Sequence, residues 1–293
     1  MIQETGYYPG CSLHASSKNL DITLKDLFEK LGIKLNEIPD WNCCGASAAH
    51  CIDEILALSL PARDLARAEK EGFKTVLAPC SACYQRLVVT HEILVKDPKK
   101  MEKVEKLISP NSYKGTIVIK NIMDLLINDV TIPEIVARKE KDLNGLKFVA
   151  YYGCWLTRIP RVKSFDSVEN PVSIENILKP LGAEPIDWPY KTDCCGGSFS
   201  ISKEELVIEL DDKIISMADK VGAECIVTTC PLCQTNLDVM QEKINKIKGK
   251  DFNLPVFYIT ELLGIALGIK WSSKIWRYHM VDPVDLLKSK RLI

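Results

Sequence analysis

Apolar and polar positions alternate along the chain in short blocks. In the second half, KFVAYY reads as a strand and VSIENILKPLG as a helix that stops at Gly182. Then come a strand around AEPIDW, a helix after CCGGS, the strand ECIVTT, a long helix to Lys248 and the strand PVFYI. The first half repeats this order. Apolar strands of four to six residues between helices predict an α/β fold with a mainly parallel sheet in each half. The charged stretch RKEKDLNG, Arg138 to Gly145, separates the halves and predicts domains 1–145 and 146–293. Two details test the pattern. KDPKKMEKVEK, Lys96 to Lys106, reads as the exposed start of a helix, and LLGIALGI, Leu262 to Ile269, is too short to span a bilayer. Its Gly264 and Gly268 therefore mark a helix terminus.

The cysteines follow the same duplication. Ten of the 12 form two copies of one pattern. The first is Cys11, 31 residues, Cys43-Cys44, 35 residues, then Cys80-Ser-Ala-Cys83. The second is Cys154, 39 residues, Cys194-Cys195, 34 residues, then Cys230-Pro-Leu-Cys233. The flanks agree: YYPGCS with YYGCW, TVLAPCSAC with IVTTCPLC, and IMDLL with ITELL. A unit of about 145 residues makes this a domain duplication rather than a solenoid. The pattern places the cysteines where strands end and helices begin, the edge at which parallel sheets bind ligands. Helix N-termini there favour negative charge.

Composition narrows the chemistry. With 38 basic and 39 acidic residues the chain has no surplus for nucleic acid. MIQETGYYPG has no basic region followed by an apolar core, so no secretory signal is expected and a cytoplasmic location is. Reduced thiols grouped in motifs then point to metal or redox chemistry. A structural zinc takes four ligands, and five cysteines leave one over. Ordinary cubane clusters also take four. Adjacent cysteines suit an irregular iron–sulfur cluster, where one thiolate can bridge two irons, and Gly45 and Gly196 let the backbone approach it. Zinc remains the alternative. Cys51 and Cys225 have no counterpart in the other copy (Ser202 and Thr75 stand there), so both are expected to pack as small hydrophobes. Cys51, next to His50 after the first CCG, also has a route to the site.

These motifs resemble the cysteine-rich CCG domain, and two tandem copies resemble the B-subunit family of heterodisulfide reductases from methanogenic archaea. The resemblance runs from Tyr7 to about Leu287. It implies two Rossmann-like CCG domains and two noncubane [4Fe-4S] clusters, one on Cys11, Cys43, Cys44, Cys80 and Cys83, the other on Cys154, Cys194, Cys195, Cys230 and Cys233. It implies reduction of the coenzyme M–coenzyme B disulfide to two thiols, each cluster delivering one electron and taking one sulfur. No GxGxxG, GxxxxGK[ST] or ferredoxin-type cysteine run occurs, so electrons are expected from partners. The family implies a ferredoxin-like C subunit and a flavin-containing A subunit, with a hydrogenase or formate dehydrogenase beyond.

Other polar residues are candidates on weaker grounds. His14 follows Cys11 by three residues, where Thr157 follows Cys154, and could protonate one product. His50, His91 and His279 read as structural or exposed. The first spacer is eight residues longer in the second copy, within WLTRIPRVKSFDSVEN. Its Arg158, Arg161 and Lys163 could grip an anionic substrate, or form a solvated loop. Two rival functions stay open: an electron-transfer subunit for lactate, glycolate or succinate oxidation, and a zinc-stabilised interaction module.

Overall fold

The computed structural model describes residues 3–293 apart from Ser47, Arg161 and Lys163. The first half runs β1 (Gln3–Tyr7), α1 (Gly10–His14), α2 (Lys18–Lys30), β2 (Ile33–Glu37), α3 (Ala49–Ile52), α4 (Glu54–Lys70), β3 (Thr75–Leu77), α5 (Ser81–Lys96), α6 (Pro98–Ile108), β4 (Val118–Lys120), α7 (Ile122–Asp124) and α8 (Ile132–Ala137). The second runs β5 (Lys147–Tyr151), α9 (Cys154–Thr157), α10 (Ser173–Leu178), β6 (Glu184–Pro185), α11 (Glu204–Lys220), β7 (Cys225–Thr228), α12 (Pro231–Lys248), β8 (Val256–Tyr258), α13 (Ile259–Ala266) and α14 (Val284–Ser289). The strands form two parallel sheets, ordered β2-β1-β3-β4 and β6-β5-β7-β8. The expected α/β architecture, twice over, is present.

The strands are apolar because both faces are covered, as parallel sheets require. Phe148 and Ala150 of β5 enter one core, while Val149 and Tyr151, pointing the other way, enter a second. The larger core runs through both halves, so position 145 separates the sheets without separating the packing. Helix α2 lies on α13 across the seam. There Thr23 and Thr260 share a hydrogen bond of 2.8 Å, and Asn19 Nδ2 donates to Glu261 Oε1 at 3.2 Å. Trp271 Nε1 donates to Asp26 Oδ2 at 2.7 Å. The expected helix terminus is at Gly268, whose φ of +74° ends α13. Gly264 is instead inside the helix, where a Cβ would run into the Trp271 ring. The lysine-rich helix α6 is capped by Asp97, which accepts from Lys99 N and Lys100 N.

Equivalent elements exchange partners. Helix α1 packs against α12 of the other half, and its counterpart α9 packs against α5, the counterpart of α12. The halves are thus related by an approximate two-fold axis, and the cysteine-bearing helix starts meet at it. No helix among the described residues is long and apolar enough to cross a membrane.

Candidate metal centres

In a sheet of order 2-1-3-4 the crossovers leave the first strand in opposite directions, and a crevice opens between β1 and β3 at their carboxyl ends. Cys11 follows β1, Cys43 and Cys44 follow β2, and Cys80 and Cys83 open α5 after β3. In the second half Cys154 opens α9 after β5, Cys194 and Cys195 follow β6, and Cys230 and Cys233 open α12 after β7. Each set of five therefore converges from three loops on one switch point.

Backbone geometry shapes the convergence. Gly10 and Gly153, just before the first cysteine of each set, both have φ of +68°. A Cβ on either would stand 2.9 Å from a sulfur, Cys83 Sγ in one set and Cys233 Sγ in the other. Both the dihedral and the space demand glycine. Gly45 and Gly196 turn the chain after the cysteine pairs with φ of +71° and +72°. Tyrosines brace these loops, a role that spacing and composition did not suggest. Tyr8 Oη donates to Asn42 O, and Tyr151 Oη donates to Asp193 O, each at 2.6 Å. Each tyrosine lies three residues before the first cysteine of its set and bonds the residue preceding the pair. The duplicated YYPGC and YYGC flanks were the available signal.

The thiols touch in series. Cys44 Sγ is 3.3 Å from Cys83 Sγ, and Cys195 Sγ is 3.7 Å from Cys233 Sγ. Cys80 and Cys230, equivalent by the duplication, lie against each other at the axis. Hydrogen bonds from Cys43 and Cys83 bring Cys44 down to about 3, and one from Cys154 brings Cys194 down to about 6. Cys233 and Cys80, with the Cys233 backbone and Ser81, likewise lower Cys230. Hydrogen bonds to neighbouring thiols push their partners Cys43, Cys83, Cys154 and Cys233 up, so each set shares protons along its chain of thiols instead of holding every sulfur as thiolate. Behind the loops lie two buried carboxyls: burial raises both Asp64 and Asp211 to about 8, the latter also through Cys194. Asp64 accepts from Asn42 N at 2.8 Å, whereas neither oxygen of Asp211 has a hydrogen-bond partner among the described residues.

The donor set fits an extended cluster better than a lone ion. The sulfurs form strips of pairwise contacts beneath glycines that keep Cβ atoms away. Five soft donors spread in this way suit an iron–sulfur unit better than a tetrahedral zinc.

A cavity of about 390 Å³ opens at the second set and is lined by all five of its cysteines. Its walls add Tyr152, Trp155, Phe199 and Leu232, with His50, Cys51, Ser81 and Ala82 arriving from the first half. None of the first five cysteines lines it. The expectation for Cys51 as a core residue is corrected: it is exposed and faces this cavity. The single turn α3 joins the CCG loop to α4 and leaves that side uncovered. Cys225 does pack as a core residue in β7, fully buried. His50 is exposed at the cavity, and His279 is buried against Glu261 Oε1 at 2.9 Å. His91 lies 2.6 Å from Tyr113 Oη.

The other candidates lie elsewhere. His14 Nε2 is 3.2 Å from Glu37 Oε1, beside Trp41 on the flank of the first set. Arg158 donates to Thr192 Oγ1 at 3.1 Å and does not line the cavity. Arg161 and Lys163 fall outside the described residues.

The cysteine-rich CCG domain model matches residues 5–87 and 148–238, and the chain belongs to that family. It is 33% identical over 288 residues to the 8-methylmenaquinol:fumarate reductase membrane anchor subunit of Wolinella succinogenes, covering 98% of this chain and 100% of that one. It is 27% identical over 284 residues to the B subunit of ferredoxin:CoB-CoM heterodisulfide reductase from Methanosarcina mazei, covering 95% and 94%. A hypothetical protein from Helicobacter pylori shares the fold, with a TM-score of 0.77 at 15% identity, over 96% of this chain and 52% of that one. The chain is thus a CCG-family redox subunit. The heterodisulfide reductase resemblance holds at the level of the family and leaves the substrate open.

Proposed function

We propose that the chain is the iron–sulfur subunit of a complex that exchanges electrons with a membrane quinol, the quinol reacting beside the second centre. Residues 1–145 carry one cluster and 146–293 the other. The ligands are the ten duplicated cysteines, and the clusters are of the noncubane [4Fe-4S] kind that the CCG resemblance implies. Such clusters take up and pass on single electrons. One observation carries the reading: beside the five cysteines, the cavity at the second centre has Tyr152, Trp155, Phe199 and Leu232 on its walls, with His50, Ser198 and Ser202 among its polar groups. Aromatic and aliphatic walls suit a flat, uncharged ring. The full-length likeness to a quinol:fumarate reductase subunit supports the same substrate class.

In this reading the chain's residues divide the work. Trp155 and Phe199 hold the ring and exclude water. Quinol oxidation releases two protons with two electrons: His50 would accept one hydroxyl proton at its imidazole, water at the cavity mouth would take the other, and the two electrons would leave one at a time through the two centres to the partner subunit. The first centre, with Cys11 and Cys43 exposed, faces the partner subunit that takes the electrons on. The second reading is heterodisulfide reduction, favoured by the near-complete match to the heterodisulfide reductase relative. The charged ends of the coenzyme M–coenzyme B disulfide would then need Arg158, Arg161 or Lys163, with His14 as a proton donor, and the ferredoxin-like and flavin-containing subunits would supply electrons. The test is anaerobic reduction of the iron-loaded chain, followed by EPR. A water-soluble naphthoquinol should reduce it, and coenzyme M should leave its oxidised spectrum unchanged. Turnover of the mixed disulfide with no response to the quinol would overturn the proposal.

A further inference from the structure

The segments after the two cysteine pairs carry apolar side chains that nothing covers. Ile201 is 100% exposed and Ile52 73%. Leu56, four residues after Ile52, and Phe199 and Leu206, two before and five after Ile201, are also exposed. Ile52 follows Cys51 and Ile201 precedes Ser202, and both Cys51 and Ser202 line the cavity. Phe199 lines it as well. Equivalent stretches of the two halves, α3 with the start of α4 and the turn leading into α11, therefore bring bare hydrophobic side chains to the rim of one opening. Contiguous apolar exposure of this kind marks a surface that is covered in use.

We infer that this collar is the surface by which the chain rests on a lipid bilayer, with the cavity opening toward the acyl layer. The inference rests on the quinol reading above, and supplies what that reading lacks: a path for a substrate dissolved in lipid into a chain with no membrane-crossing helix among its described residues. The charges around the collar agree. Glu54 is paired with Lys100 at 2.6 Å and Glu204 with Lys243. Asp53 caps α4 by accepting from Leu56 N, and the exposed Lys203 lies between Ile201 and Leu206. With the exposed Glu205 beside Leu206, four acids stand against three lysines, a small negative excess, so the collar does not depend on anionic lipid headgroups. The attachment is that of an apolar face set shallowly into the interface.

The test uses the full, iron-loaded chain and quinone-free phosphatidylcholine vesicles in a flotation gradient. At about millimolar lipid most of the chain should float, and about 0.5 M salt should not release it. The double substitution Ile52→Glu with Ile201→Glu should cut the floated fraction at least about fivefold, because a carboxylate resists entry into the interface. Ile247→Glu, exposed at the far end of α12, should float as the parent does. Iron content and reduction of the double variant by the water-soluble naphthoquinol should stay at the parent level, showing that it is folded. A parent chain that stays in the dense fractions, or a double variant that floats normally, overturns the inference. So does loss of binding to the other subunits of the complex in the double variant with flotation intact, since the collar would then be a protein interface. Because the vesicles hold no quinone, flotation is judged separately from the quinol reading, which stands or falls on the soluble quinol.

Discussion

The two halves bind their thiols in the same frame and surround them differently. Gly10 and Gly153 share one dihedral and one clearance to a sulfur, and Tyr8 and Tyr151 make the same hydrogen bond. Beyond the frame the likeness ends. At the first set Trp41 packs edge-on against Tyr8 and His14, and Cys11 and Cys43 are exposed, where the second set exposes Cys194 and half-buries Cys154. At the second, the cavity runs along the cysteines and borrows His50 and Cys51 from the other half. Duplication preserved what holds the group, and divergence changed what reaches it. That asymmetry argues against equal roles for the halves, in which each cluster takes one sulfur of a disulfide.

The largest effect should come from removing one pair member at a time. Cys44→Ser and Cys195→Ser should each lose about half the iron, and both should lower quinol-linked turnover of the complex more than about a hundredfold, as groups acting as a unit do. They should differ in a partial reaction. Quinol should still reduce the remaining cluster in Cys44→Ser, but not in Cys195→Ser, whose intact centre contributes no cysteine to the cavity. EPR after rapid mixing reads this directly. Equal reduction of both variants would restore the symmetric picture.

A second effect tests the shared frame. Gly10→Ala and Gly153→Ala each place a methyl against a sulfur at a φ of +68°, and at Gly153 the ψ of 179° puts the backbone in a region left essentially to glycine, at about 1–3 kcal/mol for the dihedrals alone. Each should lose the iron of its own half and leave the other half loaded, by iron and sulfide analysis. Full loading in either variant would show that its loop tolerates a shift the other's does not.

Why was this much legible in the sequence? The frame is local. The spacing of Cys11, Cys43-Cys44 and Cys80-x-x-Cys83 encodes three strand ends converging on one point, and the apolar blocks predict the strands themselves. Cys225 was readable as core because it lies inside ECIVTT. The cavity was not readable, because Cys51, Ser81 and Leu232 come together only through the two-fold packing of α1 on α12 and α5 on α9. Cys51 sits on a short helix whose uncovered side no periodicity announces. His14 and Arg158 looked attractive from sequence neighbours, yet they engage Glu37 and Thr192.

The buried carboxyls make the halves alike in pH response and different in hydrogen bonding. Asp64 and Asp211 are both raised to about 8 by burial, far above an unfolded aspartate. The fold therefore binds protons that the unfolded chain has released. Their contribution to stability is complete below about pH 4 and declines as pH rises toward about 8, at roughly 1.4 kcal/mol per pH unit for each group. In the metal-free chain, Asp211→Asn should remove about half of that slope, measured as the denaturation midpoint at steps from pH 5 to pH 8. Asp64→Asn should remove as much while costing more at every pH, because Asn42 N donates to this carboxyl. An unchanged slope in Asp211→Asn would mean that its proton is held elsewhere.

The smallest effect is the most direct test of equivalence. Tyr8 and Tyr151 are fully buried, and burial with nearby cysteines pushes both hydroxyls up, so each keeps its proton and donates. Phenylalanine at either position keeps the ring and leaves a carbonyl, Asn42 O or Asp193 O, without this donor. The cost should be about 1–2 kcal/mol in each case, the usual range for one buried hydrogen bond lost on one side. Metal-free chains compared by urea denaturation should give the same loss for Tyr8→Phe and Tyr151→Phe. Iron loading should slow in the half concerned and still reach completion, because the sulfurs and glycines remain. If Tyr151→Phe costs clearly more, the brace matters most where the loop must also wall a cavity, and the asymmetry of the halves extends into the frame itself.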